Sequence, residues 1–555
     1  MPVTVLIVAA YLMLLVGLGW LARRRARGSS EDYFVASRTL SPWLLLLTMA
    51  ATNFSAFTVF GFSGAGWRIG YGFYPVMAFG TGFMAVSFYF IGIPVWRLGR
   101  RYGFYTPPEL IGARFGSRTL RLLFFLVMVV FTLPYLAMQP MAAGYALESL
   151  LGIPYVAGAA VITVVMLAYT SLGGLRGVVW TDALQGGLML LLLLLALAVA
   201  VAPYGGLAEA NRQVFLQWPG LFARPGGGGE LTVGIWLGYL LLWLWCDPMF
   251  PQLFQRFFAA GSVRSLNVSM VLYPVLTGIL FLLPVTLGVV GRLTFPDLAA
   301  GHSDRIVPML LARVAPGALE ALFATAAMAA LMSTLDSQLL TLSSMFTRDL
   351  YEPCAGRPAP PWLGKVFVAA LAAGGLVLAW RPPATFLAIA TQAFTGLAVL
   401  LPVAVASLYW RRATAAGAVA AIVTGQLMVL GYYLEILPDW GTLPVVPVVA
   451  VTTVVLVLGS LLTPQRQRQP VVRLPGGRAR WWLWGVVLAG LFALGTDFWA
   501  WGDARTGWWG LPWWVWYHIV LNGVTAGLFW LLARQGPVRV PPAQSVSTRI
   551  AATGS

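Results

Sequence analysis

The chain is 555 residues long, 59% hydrophobic and 10% charged, with a formal net charge of +17. Soluble domains carry about 25% charged residues, so this composition excludes a soluble globular protein and marks a polytopic membrane protein. The basic excess does not indicate a nucleic-acid partner, because the basic residues form no aromatic-interleaved patch and sort by loop instead.

Apolar windows of about 20 residues predict fifteen spans, near 3–22, 41–66, 73–96, 122–147, 155–172, 181–202, 233–254, 267–291, 319–346, 366–380, 385–409, 416–434, 443–462, 481–500 and 512–533. The first is followed by Arg23, Arg24 and Arg25 and reads as a retained span, since a cleaved leader carries its charges first. With the amino terminus outside and the carboxyl terminus cytoplasmic, 27 of the 35 Lys and Arg residues fall on the inner side and 8 outside. That is the positive-inside bias, with some added attraction to anionic lipid heads.

The second span carries Ala51-Thr52-Asn53-Phe54-Ser55-Ala56 at mid-membrane, then Gly61, Gly64 and Gly66. The seventh carries Asp247, Pro248, Pro251 and Gln252, and its two prolines each remove a backbone donor. Both predict broken helices. Breaks five spans apart, at corresponding positions of two halves, point to a transporter built from inverted repeats. Their unwound carbonyls must face a protein cavity rather than lipid.

Several polar residues lie within or beside these spans. Asp182 reads either as a helix-start acid or as an ion ligand. Gln139, beside Pro140, is an amide that lipid does not tolerate unpaired. Asp247 has three readings: a partner for a substrate amine, a proton carrier, or the cap of the half-helix after Pro248. In the ninth span Ala330, Ser333, Thr334 and Ser337 fall at i, i+3, i+4 and i+7, one helical stripe, with Asp336 alongside. Oxygens of this kind suit a small hard cation; the competing reading is hydroxyls bonding back to carbonyls or gluing helices together.

The outer loop 203–232, ending in Pro225 and four glycines, reads as a flexible surface loop and not a phosphate loop, since no Gly-Lys-Ser follows. The last two spans are Trp-rich, with the tryptophans at span ends as in an interfacial belt, and read as a peripheral addition. Residues after Arg534 read as a disordered tail. Cys246 and Cys354 form no disulfide framework. His302 and His518, placed at outer-loop or interfacial positions, make no ligand cluster with them, so no transition metal is expected. No catalytic pattern is present, and the chain is expected not to be an enzyme.

Four motifs occur in order: Asp32-Tyr-Phe-Val-Ala-Ser-Arg38, Gly173-Gly174-Leu-Arg-Gly-Val-Val-Trp180-Thr181-Asp182-Ala-Leu-Gln185, Gln252-Leu-Phe-Gln-Arg256-Phe-Phe-Ala-Ala, and Met332-Ser333-Thr334-Leu-Asp336-Ser337-Gln338. Together they make residues 3–462 resemble the sodium:solute symporter family. Trp380-Arg-Pro-Pro383 and Tyr409-Trp-Arg-Arg412 are most similar to its pantothenate and proline branches. The resemblance implies an all-α polytopic protein with a LeuT-type 5+5 inverted-repeat core at 41–412. An extra amino-terminal helix and basic loop (1–40) would precede it, with peripheral helices (413–534) and the tail (535–555) after it.

The resemblance also implies a main sodium site from the carbonyls of Ala51, Phe54 and Ala330 and the hydroxyls of Ser333 and Thr334. A second ion or proton site maps onto Asp182, Ser333, Asp336 and Ser337, departing from the family by an acid at Asp336 where members can have serine. Asn53, Ser55 and Thr58 are similar in position to substrate-contacting residues. Phe73, Gln139, Trp243, Pro251 and Gln252 are further candidates, and Asp247 stands where the family places aromatics. The expected activity is sodium-coupled uptake of a small organic solute, a proline-like amino acid or a pantothenate-like carboxylate. Proton coupling through Asp182, Asp247 or Asp336 is the alternative, and a transporter-like membrane sensor a more distant one. Sodium, the solute and the bilayer are the expected partners, with the monomer as the working unit. One lysine, Lys365, against 34 arginines suggests a GC-rich prokaryotic gene and a plasma-membrane location.

Overall fold

The first amides of a helix have no partner within it, and several helices here begin on a short hydroxyl that supplies one. Ser41 accepts from Leu44 N ahead of Pro42, Ser117 from Leu120 N, Thr232 from Ile235 N, Ser262 from Ser265 N, and Thr385 from Ala388 N. The protein is seen in a computed structural model, which describes residues 2–24, 30–314, 318–464, 472–475, 478–536 and 538. Among them the regular structure is helical, with two isolated β-bridges.

The first half runs through α1 (Pro2–Arg24), α2 (Pro42–Asn53), α3 (Phe57–Ile69), α4 (Tyr71–Tyr102), α5 (Arg118–Leu151) and α6 (Tyr155–Val201). The second half continues with α7 (Val233–Met249), α8 (Pro251–Ala259), α9 (Val263–Thr294), α10 (Ala318–Met345), α11 (Pro361–Ala379) and α12 (Phe386–Tyr409). The remaining helices are α13 (Ala415–Tyr433), α14 (Val445–Leu462), α15 (Arg478–Thr496) and α16 (Trp513–Ala533). The two predicted breaks are present: α2 and α3 bend by 59°, α7 and α8 by 49°. Within α6, Gly174 adopts φ +55°, a left-handed conformation that favours glycine, and separates the two spans predicted there.

Ten described helices are long and apolar enough to cross a membrane, or twelve when each bent pair is one span. On that measure the fifteen predicted spans are not reached. Leu6–Ala22 and Tyr155–Ala168 are apolar but shorter, and α10 carries the Ser333-to-Gln338 polar stripe that lowers its hydropathy.

α10 packs against α6, α5 and α1, and α9 packs against α3, α4 and α16. The last helix packs closely on α9 and α4. Its Asn522 sits against Gly278 of α9, and the hydroxyl of Tyr89 donates to the Gly536 carbonyl at 2.8 Å. His518, expected near the interface, is fully buried, with its ring 6.3 Å from Phe79 and Nε2 3.3 Å from the Asp497 carboxylate. The face of α16 that carries it turns toward α9 and α4 rather than lipid. The loop 203–232, predicted to be flexible, holds a helix at Leu207–Gln217 and buries Arg224. Of the predicted disordered tail, residues 537 and 539–555 lie outside the described residues.

Candidate cation and solute site

α2 ends at Asn53, and Phe54 leaves helical geometry with φ −85° and ψ 87°. The last carbonyls of α2 are thereby released from the helix ladder, and the negative end of the helix dipole adds to their attraction for a cation. The re-entering amides are taken up locally: Ser55 N donates to Thr58 Oγ1 at 3.2 Å, Phe57 N to Ser55 Oγ at 3.1 Å, and Ala56 N to Gln139 Oε1 at 3.2 Å. Gln139 in turn donates to the Tyr135 carbonyl at 3.0 Å. Ser55 and Gln139, predicted as solute contacts, spend their polar atoms holding the break open.

Across the break, Ser333 Oγ donates to the Ala51 carbonyl at 2.8 Å and lies 3.1 Å from the Ala330 carbonyl. Thr334 Oγ1 reaches the neighbouring Thr52 carbonyl at 3.0 Å. These residues are buried; Ala51, Ala330 and Ser333 meet between α2 and α10, Thr334 meets Thr52, and Phe54 packs its ring on Tyr273 and Phe281 of α9.

The second predicted set divides. Ser333 turns toward Ala51, whereas Asp182 and Ser337 meet around a residue to which sequence reasoning gave no role, Arg256. Its Nη2 donates to Asp182 Oδ2 at 2.8 Å and to Ser337 Oγ at 2.6 Å, its Nε to Thr48 Oγ1 at 2.9 Å, and its Nη1 to the Gln252 carbonyl at 2.9 Å. Thr48 and Thr52 also donate to Asp182, at 2.5 and 3.3 Å, and Ser337 donates to Asp336 at 3.3 Å. The detectable signal was an arginine inside an apolar segment, which has to be paired. A cation is thus already resident between Asp182 and Ser337.

Below the break lies an occluded cavity with room for no more than about one water. Asn53, Thr58 and Trp243 are among the residues that line it. Asp247 stands behind Asn53, which donates to its Oδ2 at 3.4 Å and to the Tyr273 hydroxyl at 2.9 Å. Its carboxylate does not cap α8: Phe250 N bonds to the Asp247 backbone carbonyl instead, at 3.2 Å. Phe73 reaches the wall indirectly, edge-on to Trp243 at 6.3 Å. Pro251 and Gln252 start α8 and are not on the wall. The wall residues missed from the sequence are mainly aromatic: Phe57, Phe62, Tyr135, Phe250, Phe281 and Phe394. A larger space of about 640 Å³ between α5, α12 and α13 opens sideways past exposed Val130, Leu430 and Tyr433, as a lipid-facing groove does.

Asp304 is buried and accepts from Phe386 N at 2.7 Å, at the start of α12. Burial pushes its carboxyl up from an ordinary 3.8 to about 7. The folded protein therefore binds more protons than the unfolded chain between these values. The Asp304 contribution to stability is fully present below the lower value and is lost as pH rises toward the upper one. Thermal melting followed from pH 4 to 7 is expected to fall less steeply in Asp304→Asn than in the parent; identical slopes contradict this assignment.

A model of the sodium:solute symporter family matches residues 33–425. Curated relatives include the sodium/pantothenate symporter of Escherichia coli, 28% identical over 464 residues that cover 82% of this chain and 96% of the relative. The high-affinity proline transporter of Bacillus subtilis is 28% identical over 433 residues, covering 74% and 88%. The sodium/proline symporter of Staphylococcus aureus is 26% identical over 483 residues, covering 83% and 93%. Among solved structures, a sodium-coupled sialic acid symporter in a substrate-bound outward-open state superposes with a TM-score of 0.69 at 19% identity, covering 84% of this chain and 99% of that one. A nucleobase-cation-symport-1 family transporter in a closed conformation gives 0.51 at 12% identity, covering 77% and 92%. These likenesses identify the architecture as the LeuT-like 5+5 inverted-repeat fold.

Proposed function

The chain belongs to the sodium:solute symporter family, and on that premise we propose that one sodium ion binds between α2 and α10, on the carbonyls of Ala51, Phe54 and Ala330 and the hydroxyls of Ser333 and Thr334. Sodium-coupled secondary transport of a small organic solute is the activity, and the protein is a bacterial multi-pass membrane transporter rather than an enzyme. The observation that carries the site is the Ser333 hydroxyl, which joins the Ala51 carbonyl on the broken helix to the Ala330 carbonyl on α10. Sodium arriving there replaces that hydrogen bond with ligation from both helices, ties them together, and steadies the cavity beneath the break.

The driving force is the sodium gradient plus about 2.3 kcal/mol per charge per 100 mV of membrane potential. When the site is exposed to the sodium-poor interior the ion leaves, the helices separate, and the solute follows. The solute is a proline-like amino acid or a pantothenate-like carboxylate, as in the named relatives. The three helices that fall short on length or apolarity complete fifteen spans, with the amino terminus outside, the carboxyl terminus inside, and the monomer as the working unit.

Uptake into proteoliposomes under a sodium gradient, and separately under a pH gradient, tests the reading. Sodium is expected to drive accumulation, and Ser333→Ala with Thr334→Ala is expected to abolish it. Sodium dependence that survives in that double variant, or accumulation driven by the pH gradient alone, overturns the site.

A further inference from the structure

The solute cavity has a one-sided chemistry. Its wall is built from aromatic faces, and neither lysine, arginine nor histidine is among the residues that line it. Phe57 stacks on Trp243 at 5.9 Å, Phe394 meets Trp243 edge-on at 6.1 Å, and Tyr135 and Phe250 close on Phe394 at 5.0 and 4.7 Å. Aromatic faces carry negative potential and attract organic cations.

Behind this wall sits Asp247, fully buried on the break between α7 and α8. Its carboxylate oxygens meet the Asn53 amide at 3.4 Å and the Cys246 thiol at 3.6 Å. These partners and the nearby Thr81 hydroxyl are all neutral, and among the described residues Asp247 makes no ion pair. The contrast with Asp182, whose charge is met by Arg256 at 2.8 Å, is direct. A buried carboxylate without a counter-cation is costly, and an arriving positive group removes that cost while the rings replace the group's hydration.

We propose that the transported solute carries an ammonium group, secondary to quaternary, seated against the aromatic wall when the cavity widens in the transport cycle, with its charge directed to Asp247. This rests on the symport reading above and narrows its substrate. A solute whose only charge is a carboxylate finds no positive side chain on the wall. Asn53 is the relay: it lines the cavity, touches Asp247, and follows Thr52 on the last turn of α2. Seating of the ammonium group is thereby coupled to the broken helix that carries the sodium site.

The test uses the purified full-length chain in proteoliposomes under an inward sodium gradient. The probes are radiolabelled choline, glycine betaine, L-proline and pantothenate, with binding of radioactive sodium measured in parallel. At least one ammonium-bearing probe is expected to accumulate and pantothenate is not. Asp247→Asn is expected to weaken apparent affinity for that probe about 100-fold while sodium binding persists. Phe394→Ala is expected to weaken it as well, with a larger loss for the quaternary probes than for L-proline. Accumulation of pantothenate, failure of all three ammonium probes to accumulate or compete, or an unchanged affinity in Asp247→Asn overturns the proposal. Should Asp247→Asn fail to fold, the selectivity of the parent protein decides by itself. Loss of sodium binding in the parent protein instead overturns the symport reading, so the two failures are distinguishable.

Discussion

Replacing Arg256 with glutamine is expected to lower stability by about 3–5 kcal/mol, the cost of leaving one member of a buried ion pair uncompensated. The residue and its partner Asp182 are both fully buried. Arg256 lies on α8, Thr48 on α2, Asp182 on α6 and Ser337 on α10, so one guanidinium holds four helices that belong to both halves of the repeat. With glutamine there, the carboxylate of Asp182 keeps two threonine donors but has no counter-charge. Lysine retains the charge without the planar fork that serves several acceptors at once, and an intermediate loss is expected. The pair of changes Asp182→Asn and Arg256→Gln removes both charges, and thermal melting should recover most of the loss. Sodium-driven uptake should not recover, because the neutral pair no longer ties α8 to α2. A melting temperature in Arg256→Gln equal to the parent's contradicts the pairing.

What the sequence made legible, and what it did not, follows from how far each signal is local. The break in the second span was readable because Thr52, Asn53 and Ser55 interrupt an apolar run, and the Ser333 stripe was readable because it repeats at helical spacing. Arg256 was quoted within a motif yet given no role, since its meaning depends on Asp182, 74 positions away. Gln139 was correctly singled out as an amide that needs a partner, but the partner is a backbone amide freed by a break in another helix. The aromatic wall was invisible because a phenylalanine facing a cavity and one facing a neighbouring helix look alike in a chain with 31 of them. His518 was misplaced for a different reason. Trp514, His518, Asn522 and Thr525 fall at i, i+4, i+8 and i+11 and are all buried. That is the same kind of stripe as the one on α10, and its polar atoms already predicted a protein neighbour rather than an interface.

That neighbour sets up the second large effect. Arg224, on the loop after α6, donates to both carboxylate oxygens of Asp497, the second at 2.7 Å, with neither side chain exposed. Its guanidinium lies 4.6 Å from the Trp514 ring centre and 5.4 Å from that of Trp501, contacts that gain strength where water is excluded. The cluster pins the turn between α15 and α16 to a loop 273 positions earlier. Arg224→Gln strands the Asp497 carboxylate beside His518 with no permanent cation, and a loss of about 3–5 kcal/mol is expected. Asp497→Asn alone strands the arginine and is expected to cost a similar amount, whereas the two changes together should cost less than their sum. Tryptophan fluorescence gives the structural reading: Trp514, fully buried in the parent, should become open to acrylamide quenching in Arg224→Gln as α16 loosens from α9. If quenching and melting both match the parent, α16 is held by apolar packing alone. Because the cluster makes no contact with Ser333 or Ala51, sodium binding should survive in any Arg224→Gln protein that still folds, which separates an anchoring role from a coupling one.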